Sequence, residues 1–141
     1  MNPKFTIMIF NFMPFRLNDD LSDFKDDIQY IYSANGVDLY RTKNGLIKDV
    51  VEIPVTVINL YFFEGTLITA YIKLAEPIDH LQKVREILEN AIAEKAKILE
   101  MDSGLIYYWK CNNQFLGLLI QKNRNILLLY HSLIKFNVFL K

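Results

Sequence analysis

The stretch "LIYYWKCNNQFLGLLIQKNRNILLLYHS", Leu105 to Ser132, decides the fold. Three apolar runs, Leu105–Cys111, Phe115–Gln121 and Ile126–Ser132, are separated by "NN" at Asn112 and Asn113 and by "KNRN" at Lys122 to Asn125. Asn tolerates positive φ, so each break reads as a tight connection and the three runs as an antiparallel meander.

Side chains alternate across a strand, which assigns faces. Leu105, Tyr107, Trp109 and Cys111 share one face, and Ile106, Tyr108 and Lys110 share the other. In the two following runs Phe115, Leu119, Ile126, Leu128 and Tyr130 point one way, while Leu116, Leu118, Ile120, Leu127, Leu129 and Leu133 point the other. Both faces are apolar, although an antiparallel sheet usually leaves one face wet. Something beyond a single helix has to cover this one.

Upstream, Ile78, Leu81, Val84, Leu88, Ala91 and Ile92 form a helical stripe that starts at Pro77, with Asp79 and Lys83 spaced for an ion pair. This helix fades near Ala96, before a "DSG" turn at Asp102 to Gly104. Before it, Val51, Ile53, Val55 and Val57 alternate with polar residues, and "EG" at Glu64 and Gly65 joins this strand to a second, Leu67–Leu74, in a hairpin. Pro54 cannot donate to a ladder, which predicts an edge or a bulge there. A short extended piece over Val37–Thr42 ends at the "KNG" turn, Lys43 to Gly45.

Leu17, Leu21, Phe24, Ile28 and Ile31 recur at steps of three and four, predicting an N-terminal amphipathic helix capped by Asn18 and ended by "SANG" at Ser33 to Gly36. Phe5–Phe12, stopped by Pro14, reads as a first strand rather than a signal segment, since no small-residue cleavage site follows it. The expected architecture is therefore α+β. A single domain over residues 1–141 contains a mostly antiparallel curved sheet, hairpin plus C-terminal meander, packed against a long helix, with a second, N-terminal helix. The order of "YFFEGTL", helix and "YYW" hairpin resembles that of many small bacterial α+β proteins, a likeness that implies no activity.

Composition narrows function. Of 141 residues 52% are hydrophobic, and 16 acids balance 16 bases, so no net field gathers nucleic acid or an anionic membrane. The single Cys cannot form an internal disulfide, and a cytoplasmic location is the expectation.

Candidate sites are few. Cys111 falls beside Trp109 among apolar neighbours, where a thiol behaves as a small hydrophobe with a raised pKa. His80 reads as exposed and His131 as a structural histidine on a partly covered sheet face. Asp19 to Asp23 carries the letters of a magnesium-binding DDxxD box, but acids at a helix start are explained by the helix dipole, and Asp19, Asp23, Asp26 and Asp27 read as a solvated face. No spacing matches a zinc or calcium site, no glycine-rich phosphate loop is present, and no cofactor is expected. Arg16, Arg41, Lys43, Lys48, Lys110, Lys122 and Arg124 form a solvated rim.

The surplus of apolar surface and the tail "IKFNVFLK" point instead to association. The expected function is non-enzymatic: a protein-interaction or regulatory domain of inhibitor or immunity type, self-associating as a homodimer or binding another protein. Phe136, Val138 and Phe139, in an arm over 134–141, are the expected interface. The alternative is a small-ligand module with an apolar pocket between sheet and helix, lined by Tyr107, Trp109, Phe115, Tyr130 and His131.

Overall fold

A computed structural model describes Phe10, residues 12–102 and residues 104–139. Its described residues hold nine strands: β1 Ile28–Ala34, β2 Val37–Thr42, β3 Asp49–Val50, β4 Ile53–Phe63, β5 Thr66–Leu74, β6 Lys97–Met101, β7 Gly104–Cys111, β8 Gln114–Gln121 and β9 Ile126–Leu133. A 3-10 turn, Ile78–His80, leads into the helix α1, Leu81–Ile92. Every pairing is antiparallel, in the order β1-β2-β4-β5-β9-β8-β7-β6, with β3 attached to β4.

The connectivity follows from the turns. Asn35 and Gly36 (φ 54° and 81°) join β1 to β2, and Glu64 and Gly65 (φ 51° and 78°) join β4 to β5, both with the paired positive φ of a type I′ hairpin. After β5, α1 carries the chain across the sheet to β6 at its far edge, and the meander β6–β7–β8–β9 returns to pair with β5. The expected bulge near Pro54 is present, because the β4–β5 register shifts between Val55 and Val57 while Pro54 sits opposite Asp49.

Val84, Leu88 and Ile92 of α1 are buried in the main core together with Leu60 and Phe62 of β4, Ile72 of β5, Trp109 of β7, Leu118 of β8 and Leu129 of β9. The helix ends at Ile92, earlier than its pattern suggests. Ala93 adopts φ 62°, its N–H donates to the Glu89 carbonyl at 2.8 Å, and the Glu89 carboxylate accepts from Ala96 N–H at 2.8 Å. That stop frees residues 97–101 to form β6. The Asp79–Lys83 pair is not among the ion pairs of the described residues; His80 pairs with Glu76 instead.

The N-terminal helix does not form. Residues 17–31 hold two 3-10 turns, Leu21–Asp23 and Lys25–Asp27, followed by β1. Their backbone groups are committed elsewhere: Asn18 N–H donates to Leu67 O at 2.8 Å, Leu67 N–H to Asp19 O at 2.9 Å and Leu21 N–H to Gly65 O at 2.7 Å. These bonds extend β5 where β9 no longer reaches it. Beyond Ile28, "YIY" is β-branched and aromatic, and the Asn35–Gly36 turn folds it onto β2, with Tyr30 meeting Tyr40 ring to ring at 5.4 Å. "SANG" is thus a hairpin turn rather than a helix end. The strand expected over Phe5–Phe12 lies outside the described residues except for Phe10 and Phe12, which sit in a turn.

Candidate functional site

Because α1 covers one face, the outer face of the sheet holds the second surface that the alternating pattern demands. Ile106, Phe115, Leu119 and Tyr130 form a separate buried cluster there. Aromatic rings cross five strands from it. Tyr61 of β4 contacts Tyr71 of β5 (5.6 Å between centroids), Tyr71 contacts Tyr130 of β9 (4.8 Å), Tyr130 contacts Phe115 of β8 (5.9 Å), and Phe115 stacks on Tyr108 of β7 (5.4 Å). Offset and edge-to-face contacts of this kind add to plain burial. Burial, followed by Tyr130 and Tyr61, pushes the Tyr71 phenol well above its usual range. Tyr61 is raised by burial and by Tyr32, with Arg41 opposing. Both phenols are therefore neutral hydroxyls at physiological pH.

The C-terminal segment lies over the middle of this face. Phe136 packs against Phe63 at 5.4 Å, Phe139 meets Tyr130 edge-on at 4.9 Å, and Val138 N–H donates to the Tyr130 hydroxyl at 3.3 Å. Phe136 and Phe139, expected to reach for a partner, are engaged with the chain's own sheet, whereas Val138 remains 56% exposed. Two hollows flank the segment. One of about 440 Å³ is bounded by β7, β8, the β8–β9 connection and Phe139, and one of about 270 Å³ lies among Val37, Tyr61, Thr69, Tyr130 and Val138. Tyr71 lines both.

The residues expected to line one pocket are divided between the faces. Phe115 and Tyr130 belong to the outer cluster, while Tyr107 and Trp109 pack into the main core. Trp109 is 1% exposed and its indole N–H donates to the Glu94 carbonyl at 2.9 Å. Arg85 lies over the Tyr107 ring at 5.1 Å. Cys111 is buried on the same side, its thiol pushed up by burial and by Glu94, as its position beside Trp109 predicts.

His131 is also on the inner face, between Ala70 and Leu116 of the neighbouring strands and edge-on to Phe10 at 5.5 Å. Its Nε2 bonds Gln114 Oε1 at 2.8 Å, and its Nδ1 has no hydrogen-bond partner among the described residues. Burial lowers its pKa to about 4, so the ring is neutral. Among the described residues no group of His, Cys, Asp and Glu is arranged to hold a metal ion, and no helix is long and apolar enough to cross a membrane.

A second exposed feature is β1, which among the described residues is one of the two edges of the sheet. Gln29 to Ala34 are all exposed, including Tyr30 and Tyr32 at 53% each. Sequence reasoning missed it by assigning residues 28–32 to a helix, although the Asn35–Gly36 dipeptide carried the hairpin signal. Tyr61 and Tyr71 were missed because they meet only through tertiary pairing. Comparison with protein-family models, curated proteins and solved structures finds no match to the chain.

Proposed function

We propose that this protein is a non-enzymatic interaction module, regulatory or inhibitor-like in type, that works as a homodimer joined through β1. The observation that supports this reading is the chemistry of that edge. Open edges are normally guarded by charged residues, proline or bulges, because their unpaired N–H and C=O groups recruit other strands. The opposite edge, β6, carries Lys97 and Glu100 within five residues. The seven residues of β1, "IQYIYSA", include neither charge nor proline. Its one guard is a bulge between Tyr30 and Tyr32, which interrupts the ladder to β2 at Ile31 and leaves residues 32–34 in regular register and uncharged.

Antiparallel pairing of β1 with its own copy satisfies both edges at once and brings like side chains together across a two-fold axis with no charge to repel. From that edge a row of side chains leads onto the outer face, since Tyr32 pairs in register with Leu39 of β2 and Leu39 with Tyr61 of β4, and Tyr61 and Val138 share the smaller hollow. Val138, exposed beside that hollow, belongs to the proposed interface.

Native mass spectrometry of the full chain tests this. The expected species has twice the 16.6 kDa chain mass, and Ile31→Lys, which sets two like charges across the axis, is expected to run as a folded monomer. A wild-type monomer at micromolar concentration, or an Ile31→Lys variant that stays dimeric, would overturn the proposal.

A further inference from the structure

The larger hollow on the outer face differs in chemistry from the edge and is separate from it. Its floor and one wall are apolar, formed by Ile106 of β7, Leu119 of β8, Tyr71 of β5 and Phe139 of the C-terminal segment. Its rim at the β8–β9 connection is polar, supplied by Gln121, Asn123 and Arg124. Among the described residues no carboxylate lines it and Arg124 makes no ion pair. The connection that carries Arg124 is held in place, because Asn125 sits at φ 54° and its side-chain oxygen accepts from Ile78 N–H at 3.3 Å. At about 440 Å³ the hollow falls within the range of small-molecule sites, about 300–1,000 Å³.

We infer that this groove binds an apolar monocarboxylate, with its hydrocarbon body against Ile106, Leu119, Tyr71 and Phe139 and its carboxylate on the Arg124 guanidinium. A lone guanidinium beside an apolar floor matches a single planar anion, which it can hold through two parallel N–H donors. A dianionic phosphate would need further donors, and a neutral hydrocarbon would make use of the apolar floor alone. Asn123 and Gln121 line the same hollow, and their amide N–H groups are the donors available for the remaining carboxylate lone pairs.

The experiment is isothermal titration calorimetry of the full-length protein with decanoate and, separately, with 1-decanol, repeated on Arg124→Gln. Arg124 is exposed, so its replacement leaves the fold intact, and circular dichroism of the variant verifies this. Decanoate is expected to saturate at one per chain and to bind the variant about tenfold more weakly, the loss of one charged hydrogen-bonding partner. Decanol is expected to bind both proteins alike. Absence of saturable decanoate binding at millimolar concentration, or equal decanoate affinity in wild type and Arg124→Gln, would overturn the assignment.

Discussion

Replacing His131 with glutamine tests how the buried face of β9 responds to acid. The imidazole is 2% exposed, with Ala70 and Leu116 beside it and the Phe10 ring against it, and no charged group shifts its pKa. Burial alone lowers that pKa from 6.5 to about 4. A histidine with a depressed folded-state pKa stabilises the fold fully above its unfolded pKa. That stability is lost as pH falls from 6.5 through 4, because the unfolded chain takes up the proton first. Linkage over this window gives a loss of about 2 kcal/mol between pH 7.5 and pH 5, approaching about 3 kcal/mol below pH 4. For a chain of this size that corresponds to a fall in Tm of roughly 6 °C by pH 5. The side-chain amide introduced by His131→Gln does not titrate and offers Gln114 a donor and an acceptor. Urea unfolding of both proteins at the two pH values isolates the contribution, since every other titrating group is common to them. The expected wild-type loss exceeds that of His131→Gln by about 2 kcal/mol. Parallel pH dependence of the two proteins, or a His131 ring signal titrating near 6.5 by NMR, would refute the reasoning.

Trp109→Phe removes the indole N–H that donates to Glu94 O at 2.9 Å and leaves a void in the main core. It is expected to cost about 2–4 kcal/mol in chemical denaturation followed by circular dichroism, and a loss below about 0.5 kcal/mol would show that Trp109 is not close-packed. Gly117→Ala places a Cβ 2.9 Å from Phe115 Cε1 and 3.2 Å from both Ile106 Cγ2 and Leu119 Cδ1. This overpacking of the outer cluster is expected to lower stability by about 1–3 kcal/mol, and an unchanged unfolding midpoint would mean that the cluster is looser than these distances indicate.

The local signals in the chain were legible. The alternation in "LLIQKNRNILLLY" separates Leu119, Leu128 and Tyr130 from Leu118, Leu127 and Leu129, and the two cores divide along that line. The turns at Asn112 (φ 55°) and at Glu64 and Gly65 needed only the tolerance of those residues, or of the hairpin geometry, for positive φ. Residues 17–31 were misread because positions 28 and 31 fit a helical step, while the bonds that decide the matter, from Asn18, Leu21 and Leu67, join segments about 45 residues apart. β6 escaped notice because "KILEM" is short and charged. The C-terminal segment is legible in the sequence as apolar chain, whereas the seating of Phe136 on Phe63 and of Phe139 on Tyr130 is not. No periodicity along the chain could have revealed that, since the pairing of β5 with β9 is set by the crossover of α1.

The same crossover explains why the outer face can hold two unrelated features. It places the β4–β5 hairpin and the meander side by side, so that aromatic positions chosen separately in each, Tyr61 and Tyr71 in one and Tyr130, Phe115 and Tyr108 in the other, become one continuous row. That row gives the face its cohesion through side chains of the sheet itself. Five strand spacings of about 4.8 Å separate β1 from β8, roughly 24 Å along the sheet. Arg124 lies at the far end of that span, and the groove's near wall, Tyr71 of β5, meets Tyr61 at 5.6 Å and lines the hollows on both sides of the C-terminal segment. The dimer reading rests on the backbone groups and side chains of β1, whereas the carboxylate reading rests on a guanidinium and an apolar floor. Because different atoms support them, the failure of either would leave the other standing.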